Sequence, residues 1–143
     1  MDAPVHFVTS AALAAALYPF FGWMSAFALV GGFLIDIDHY FWFVHKTRRY
    51  GFKDCYNFYL DPHKEGDYFR HKDAFLAFHT IEIPVLLIAL SFVHVAFLTV
   101  LAGLLLHFML DAVYRIRKLK MLFITPPSAI AYLISLNKNT AKA

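Results

Sequence analysis

The sequence predicts an all-α integral membrane protein, a bundle of four short transmembrane helices in two hairpins with a C-terminal interfacial or re-entrant helix. Three observations carry this. The 143-residue chain is 60% hydrophobic with a mean hydropathy of +0.56, against about 45–50% apolar for a soluble domain. No charged residue interrupts Phe7 to Ile35, and Val85 to Met109 holds no Asp, Glu, Lys or Arg. All 13 Lys and Arg fall in the central stretch or after Asp111. At this length a single domain, 1–143, is expected.

The first helix, about 4–18, is Ala-rich and opens on Pro4, which suits a first helical turn. Its N-terminus lacks the basic region of a signal peptide, so it counts as a helix of the protein. Tyr18-Pro19-Phe20-Phe21-Gly22 reads as a turn. A second apolar helix follows at about 23–40. Residues 41–72 read as a polar, aromatic-rich cytoplasmic loop whose rings suit the lipid–water interface. Asp73 caps a third helix, 73–91, in which Pro84 is expected to produce a kink. The fourth helix spans about 95–113. The tail, 121–136, is apolar but broken by Pro126-Pro127, which suits an interfacial segment.

A break near Ser91-Phe92-Val93-His94 decides the topology. In one continuous helix His79 and His107 would stand about 42 Å apart at about 1.5 Å per residue. A hairpin returns them to the same side, with arms short for a hydrocarbon core of about 30 Å. His6, Asp36, Asp38, His39, His79, Glu82, His107 and Asp111 then share one side with every Lys and Arg. The positive-inside rule makes that side the cytoplasm, and the protein a multi-pass protein of the cytoplasmic (inner) membrane.

Ionisable groups at membrane depth are costly and point to function. Asp36 and His39, spaced i,i+3, share a helix face, as do His107 and Asp111, spaced i,i+4. With Asp38, His79 and His6 they supply nitrogen and oxygen donors for one or two divalent ions. Zinc suits the set best, with manganese or iron as alternatives. Asp38, as bridging ligand or base, and Glu82 are the candidate general bases. Each piece also has a plainer explanation: interfacial helix ends for Asp36-x-Asp38-His39 and His6, a buried pair for His107-x-x-x-Asp111, and an ion pair for Glu82. Their clustering at one depth favours a site.

His94 falls at the opposite turn, and His45, His63 and His71 in the central loop, where solvation is the default. Arg115, Arg117, Lys118 and Lys120 read as a lipid-headgroup patch. The net charge of +3 and pI near 9.0 are therefore assigned to anionic lipid, and no nucleic-acid partner is expected. Cys55 is the only cysteine, which excludes an intrachain disulfide and a Cys-based zinc motif.

At these residues the sequence resembles the YdjM-type family of small bacterial and archaeal inner-membrane proteins, described as membrane-bound metal-dependent hydrolases. The matching features are His6, the Gly32-to-His39 segment ending in Asp-x-Asp-His, His79, and His107-x-x-x-Asp111. The mid-chain segment departs from the family pattern: it reads Phe78-His79-Thr80-Ile81-Glu82, and Phe69-Arg70-His71-Lys72 stands where His-Arg-Gly is usual. The resemblance implies a metal-dependent hydrolase. A lipid-like ester or phosphoester is the expected substrate, because the site opens at headgroup level. Two competitors are non-enzymatic: a membrane protein that uses the same groups to bind or move a metal ion, and a membrane scaffold that binds a soluble partner through its Tyr-rich central loop, with the Asp/His cluster only structural. Transport is disfavoured by the apolar residues between the two helix ends.

Overall fold

A computed structural model describes residues 3–60, 75–119 and 128–140. The expectations placed on His63, His71, Asp73, Lys120, the Phe69–Lys72 segment and the Pro126-Pro127 break of the tail (residues 121–127) lie outside these residues. Every described element is helical.

α1 spans Ala3–Phe21 and runs through Pro19, which forgoes one helical hydrogen bond in the last turn without ending the helix. The reversal comes at Gly22, whose φ of +56° a residue without a side chain adopts freely. The second predicted helix is not one rod. It consists of a 3₁₀ segment Gly22–Phe27, α2 Ala28–Gly32 and a 3₁₀ turn Leu34–Asp36, which leads into α3 Ile37–Thr47. At Phe33 (φ −132°, ψ −48°) the backbone leaves the helical region. The Asp36 N–H then bonds Phe33 O at 3.3 Å, not the Gly32 carbonyl a continuous helix would use.

The central stretch, expected to be loop from residue 41, is largely helical. α3 continues to Thr47, ends on left-handed Arg48 and is followed by α4, Phe52–Leu60. Its aromatics pair with one another: Tyr40 stacks on Phe52 at 4.6 Å, Phe43 packs edge-on against Phe58 at 5.3 Å, and the Tyr40 hydroxyl donates to Tyr50 O at 2.7 Å. These contacts give a polar-looking segment an apolar face to fold on.

The third predicted helix is shorter than expected. A 3₁₀ turn Ala77–His79 and extended Thr80 precede α5, Glu82–Ser91. Pro84 therefore lies in the first turn of α5, where no N–H is needed, and it caps the chain's entry without kinking it. The break at 92–95 is present. There the His94 ring Nδ1 accepts the Ala96 N–H at 3.1 Å and opens α6, Ala96–Leu119. α7 covers Ala129–Thr140, and at about 18 Å it is too short to cross a bilayer core.

α6 and the second segment run parallel in strict register. Thr99 Oγ1 donates to Met24 O at 2.9 Å, Gly103 meets Ala28, and His107 Nδ1 donates to Gly32 O at 3.0 Å. Each step advances four residues on both helices, one turn apiece. Only small residues permit this seam: a Cβ on Gly31 would strike the Val100 carbonyl, and one on Gly103 the Ala28 carbonyl. Such small-residue contacts characterise helix packing within membranes. α1 returns antiparallel, with Ser10 against Gly32. α5 and α6 close over Ile35, Leu87, Leu101 and Leu104.

Two helical tracts, Ala3–Thr47 and Ala96–Tyr114, are long and apolar enough to cross a membrane. Only 28% and 39% of their most apolar windows is buried inside the protein, so most of this apolar surface faces outward. Val8, Phe20, Trp23, Leu98, Leu105 and Met109 are exposed examples. A water-soluble core helix would turn that surface inward.

Candidate metal centre

The described structure brings His6, Asp36, Asp38, His39, His79, His107 and Asp111 into one continuous cluster. The elements that carry them explain why. α1 supplies His6 from its first turn, the break at Phe33 delivers Asp36, and α3 begins with Asp38 and His39. The 3₁₀ turn before α5 points His79 inward, and α6 carries His107 and Asp111 one turn apart.

The hydrogen positions follow from the partners. Gly32 O only accepts, so His107 Nδ1 carries its hydrogen and donates at 3.0 Å. The Asp38 carboxylate receives His79 Nδ1–H on Oδ2 at 3.0 Å, the Phe78 backbone N–H on the same oxygen at 3.1 Å, and His39 Nδ1–H on Oδ1 at 3.0 Å. In their neutral forms His79 and His107 then both present an Nε2 lone pair. These two atoms face each other at 3.2 Å. Asp36 Oδ1 completes the triangle, 3.5 Å from His79 Nε2 and 3.4 Å from His107 Nε2.

Three acceptors this close repel one another unless positive charge lies among them. Their spacing fits a cation: ligand atoms about 2.0 Å from a tetrahedral centre stand about 3.3 Å from one another. The outward Nδ1–H of each ring is held by a carbonyl or carboxylate, the arrangement that fixes tautomer and orientation at metal sites.

A second group, His6, His107 and Asp111, adjoins the first and is buried throughout. His6 Nε2 lies 3.3 Å from Asp111 Oδ1, and its ring stacks on His107 at 4.0 Å. His6 Nδ1 is fully buried with no hydrogen-bond partner in the described structure, a costly state for a polar atom. The lone pair of His107 Nε2 cannot serve both groups as a full ligand. If His107 served the first group, a second ion would draw on His6 and Asp111. In the third group, Asp38, His39 and His79, the close contacts are hydrogen bonds that orient the two rings.

Glu82 joins none of these groups. Its carboxylate accepts the Ser128 hydroxyl at 2.6 Å and the Ala129 and Ile130 N–H groups at 3.1 and 3.3 Å. It thus caps α7 from outside. Tyr132 of α7 stacks on Phe75 at 4.8 Å.

His6, Asp38, His39 and His79 lie at or just before helix starts, as expected from the sequence, whereas His107 and Asp111 lie within α6 and not at its end. His107 is about 17 Å from the start of α6, and α6 continues about 18 Å beyond it. Sequence reading missed three contributors: the Gly32 carbonyl, the Phe78 N–H, and Tyr59, whose hydroxyl donates to His39 O at 3.0 Å. The repeat Thr99-x-x-x-Gly103-x-x-x-His107 opposite Met24-x-x-x-Ala28-x-x-x-Gly32 was the available signal for the first. A cavity of about 340 Å³ opens beside the cluster, with Asp36, His39 and Asp111 among its lining residues.

Comparison with protein-family models, curated proteins and solved structures found no match to this chain.

Proposed function

We propose that the chain is a membrane-embedded, metal-dependent hydrolase of an ester or phosphoester, acting on a lipid-like substrate from the cytoplasmic face. The observation that carries the reading is the convergence of His79 Nε2, His107 Nε2 and Asp36 Oδ1 at 3.2–3.5 Å beside a cavity with largely apolar walls. These three residues hold a divalent ion, zinc fitting the donor set best. Asp111 and His6 complete its shell or hold a second ion. When bound, the ion polarises the substrate's carbonyl or phosphoryl oxygen and acidifies a water.

His39 lines the cavity, and Asp38 holds its Nδ1–H. Its Nε2 is then the proton acceptor, and Asp38 stabilises the imidazolium formed when His39 takes a proton from water. Asp38 also holds His79, so one carboxylate orients both a ligand and the base.

The four-crossing arrangement belongs to this proposal. α5, at about 15 Å, is half the thickness of a typical hydrocarbon core, so a crossing there needs a locally thinned bilayer. The Lys and Arg residues on the site side support a cytoplasmic orientation for that side.

The test is hydrolysis of chromogenic carboxylic and phosphoric esters by purified protein. Chelation abolishes turnover, and zinc or manganese restores it. His39→Gln lowers kcat by about 10²–10⁴ at unchanged metal content. Turnover that survives chelation, or a metal-loaded protein that cleaves neither ester class, overturns the proposal.

A further inference from the structure

We infer that the cavity beside the cluster binds a single apolar chain carrying an uncharged ester, which makes the substrate a carboxylic ester and not a phosphoester. For its reaction this rests on the hydrolase reading; for its binding test it does not. The cavity, about 340 Å³, has walls that include Phe33, Leu34, Ile37, Phe52 and Tyr56. One part of its lining is polar, formed by Asp36, His39 and Asp111. A chain laid along the walls places its ester against those three groups.

The sign of the charge there decides the class. Two carboxylates line the cavity, and among the described residues no Lys or Arg does. Phosphoester sites ordinarily surround the anion with Arg, Lys, backbone N–H donors or divalent ions; here the charge of one divalent ion would be offset by Asp36 and Asp111, leaving no surplus positive charge for a phosphate. Lys46 lines a separate cavity with Phe41, Trp42 and Tyr132. Burial argues the same way: Asp38, His107 and Asp111 beside the cavity are buried, and an added anion in a desolvated site is expensive, a penalty an uncharged carbonyl does not carry.

The corresponding step balances simply. The water oxygen bonds the acyl carbon, the acyl C–O bond breaks, and its electron pair leaves with the alkoxy oxygen. The proton removed from water goes to that oxygen, giving a carboxylic acid, ionised in water, and an alcohol.

Cys55 lines this cavity and is the only cysteine in the chain, so its alkylation reports occupancy without any turnover. The experiment uses the full chain in amphipol, labelled with a thiol-reactive probe at about pH 10, where a larger share of this raised thiol is ionised. Dodecylglycerol ether, uncharged and uncleavable, is compared with dodecyl phosphate of the same chain length. The expected result is labelling slowed about tenfold by the ether at about ten times its Kd and unaffected by the phosphate. Ile37→Trp, which fills the cavity, removes the protection, and Cys55→Ser confirms that the label is on that thiol. Protection by the phosphate equal to or greater than that by the ether, or protection by neither, overturns the inference. Protection by the ether together with absent hydrolysis would retain the binding site and remove only the hydrolase reading.

Discussion

His79 Nε2 and His107 Nε2 face each other at 3.2 Å, while the other nitrogen of each ring donates to Asp38 or to Gly32 O. Two neutral rings held this way direct lone pairs at one another. Either a cation lies between them or one ring is protonated and donates to its neighbour or to Asp36. These alternatives differ in what else they require. A shared proton satisfies the pair alone, whereas a metal also draws on Asp36 Oδ1 and accounts for the burial of His6 and Asp111 close by.

Asp38 separates positioning from ligation. It holds the rings of His39 and His79 through Nδ1–H. Asp38→Asn should therefore lower metal affinity by about 10–100-fold, the usual effect of losing a group that orients a ligand, without unfolding the bundle. Titration against a chromogenic chelator measures the affinity, and circular dichroism checks the fold.

The seam between α6 and the second segment sets the distance between Gly32 and His107. Gly103→Leu places a side chain against the Ala28 carbonyl, a backbone atom that cannot move aside. Overpacking of this kind costs about 1–3 kcal/mol, and here it also pulls His107 from Gly32 O. The expected outcome is a lower melting temperature together with reduced metal content. Leu105→Ala, on the outward face of the same helix, serves as the control and should leave metal content unchanged.

Glu82 holds the start of α7 through three hydrogen bonds. Glu82→Gln should speed amide hydrogen exchange in residues 129–134 and expose α7 to protease, with metal content and turnover retained. Lost turnover with α7 still protected would instead restore Glu82 as a general base.

Burial pushes the Cys55 thiol up to about 11, because a partly enclosed apolar wall disfavours the thiolate. The thiolate is the reactive form, so alkylation should continue to accelerate between about pH 9 and pH 11, where an ordinary thiol with a pKa of about 8.5 has levelled off. A plateau by pH 9 would show that the wall is open to water.

Much of the architecture was legible because apolar length and charge placement act over whole segments. The reversal at Gly22, the break near His94 and the uncharged tracts follow from Gly and hydropathy, whereas Pro19 did not end the first helix, which runs on to Phe21. The convergence of His6, Asp36, His79 and His107 follows once the chain is folded at those points. The broken second helix was not legible: its break at Phe33 serves a close approach by α6, a tertiary demand that local sequence does not record. α3 and α4 were hidden because their apolar partners are aromatics elsewhere in the same polar stretch. The place of Glu82 depended on α7, nearly fifty residues on, and no local pattern links the two.

The most direct measurement is elemental analysis of the purified full-length chain beside an Asp36→Ala, His107→Ala double variant. The account predicts a transition metal, at one or two ions per chain, in the wild type and its loss in a variant that remains folded. A metal-free wild type that stays empty after exposure to zinc and manganese would contradict the account. So would a double variant that retains the full complement.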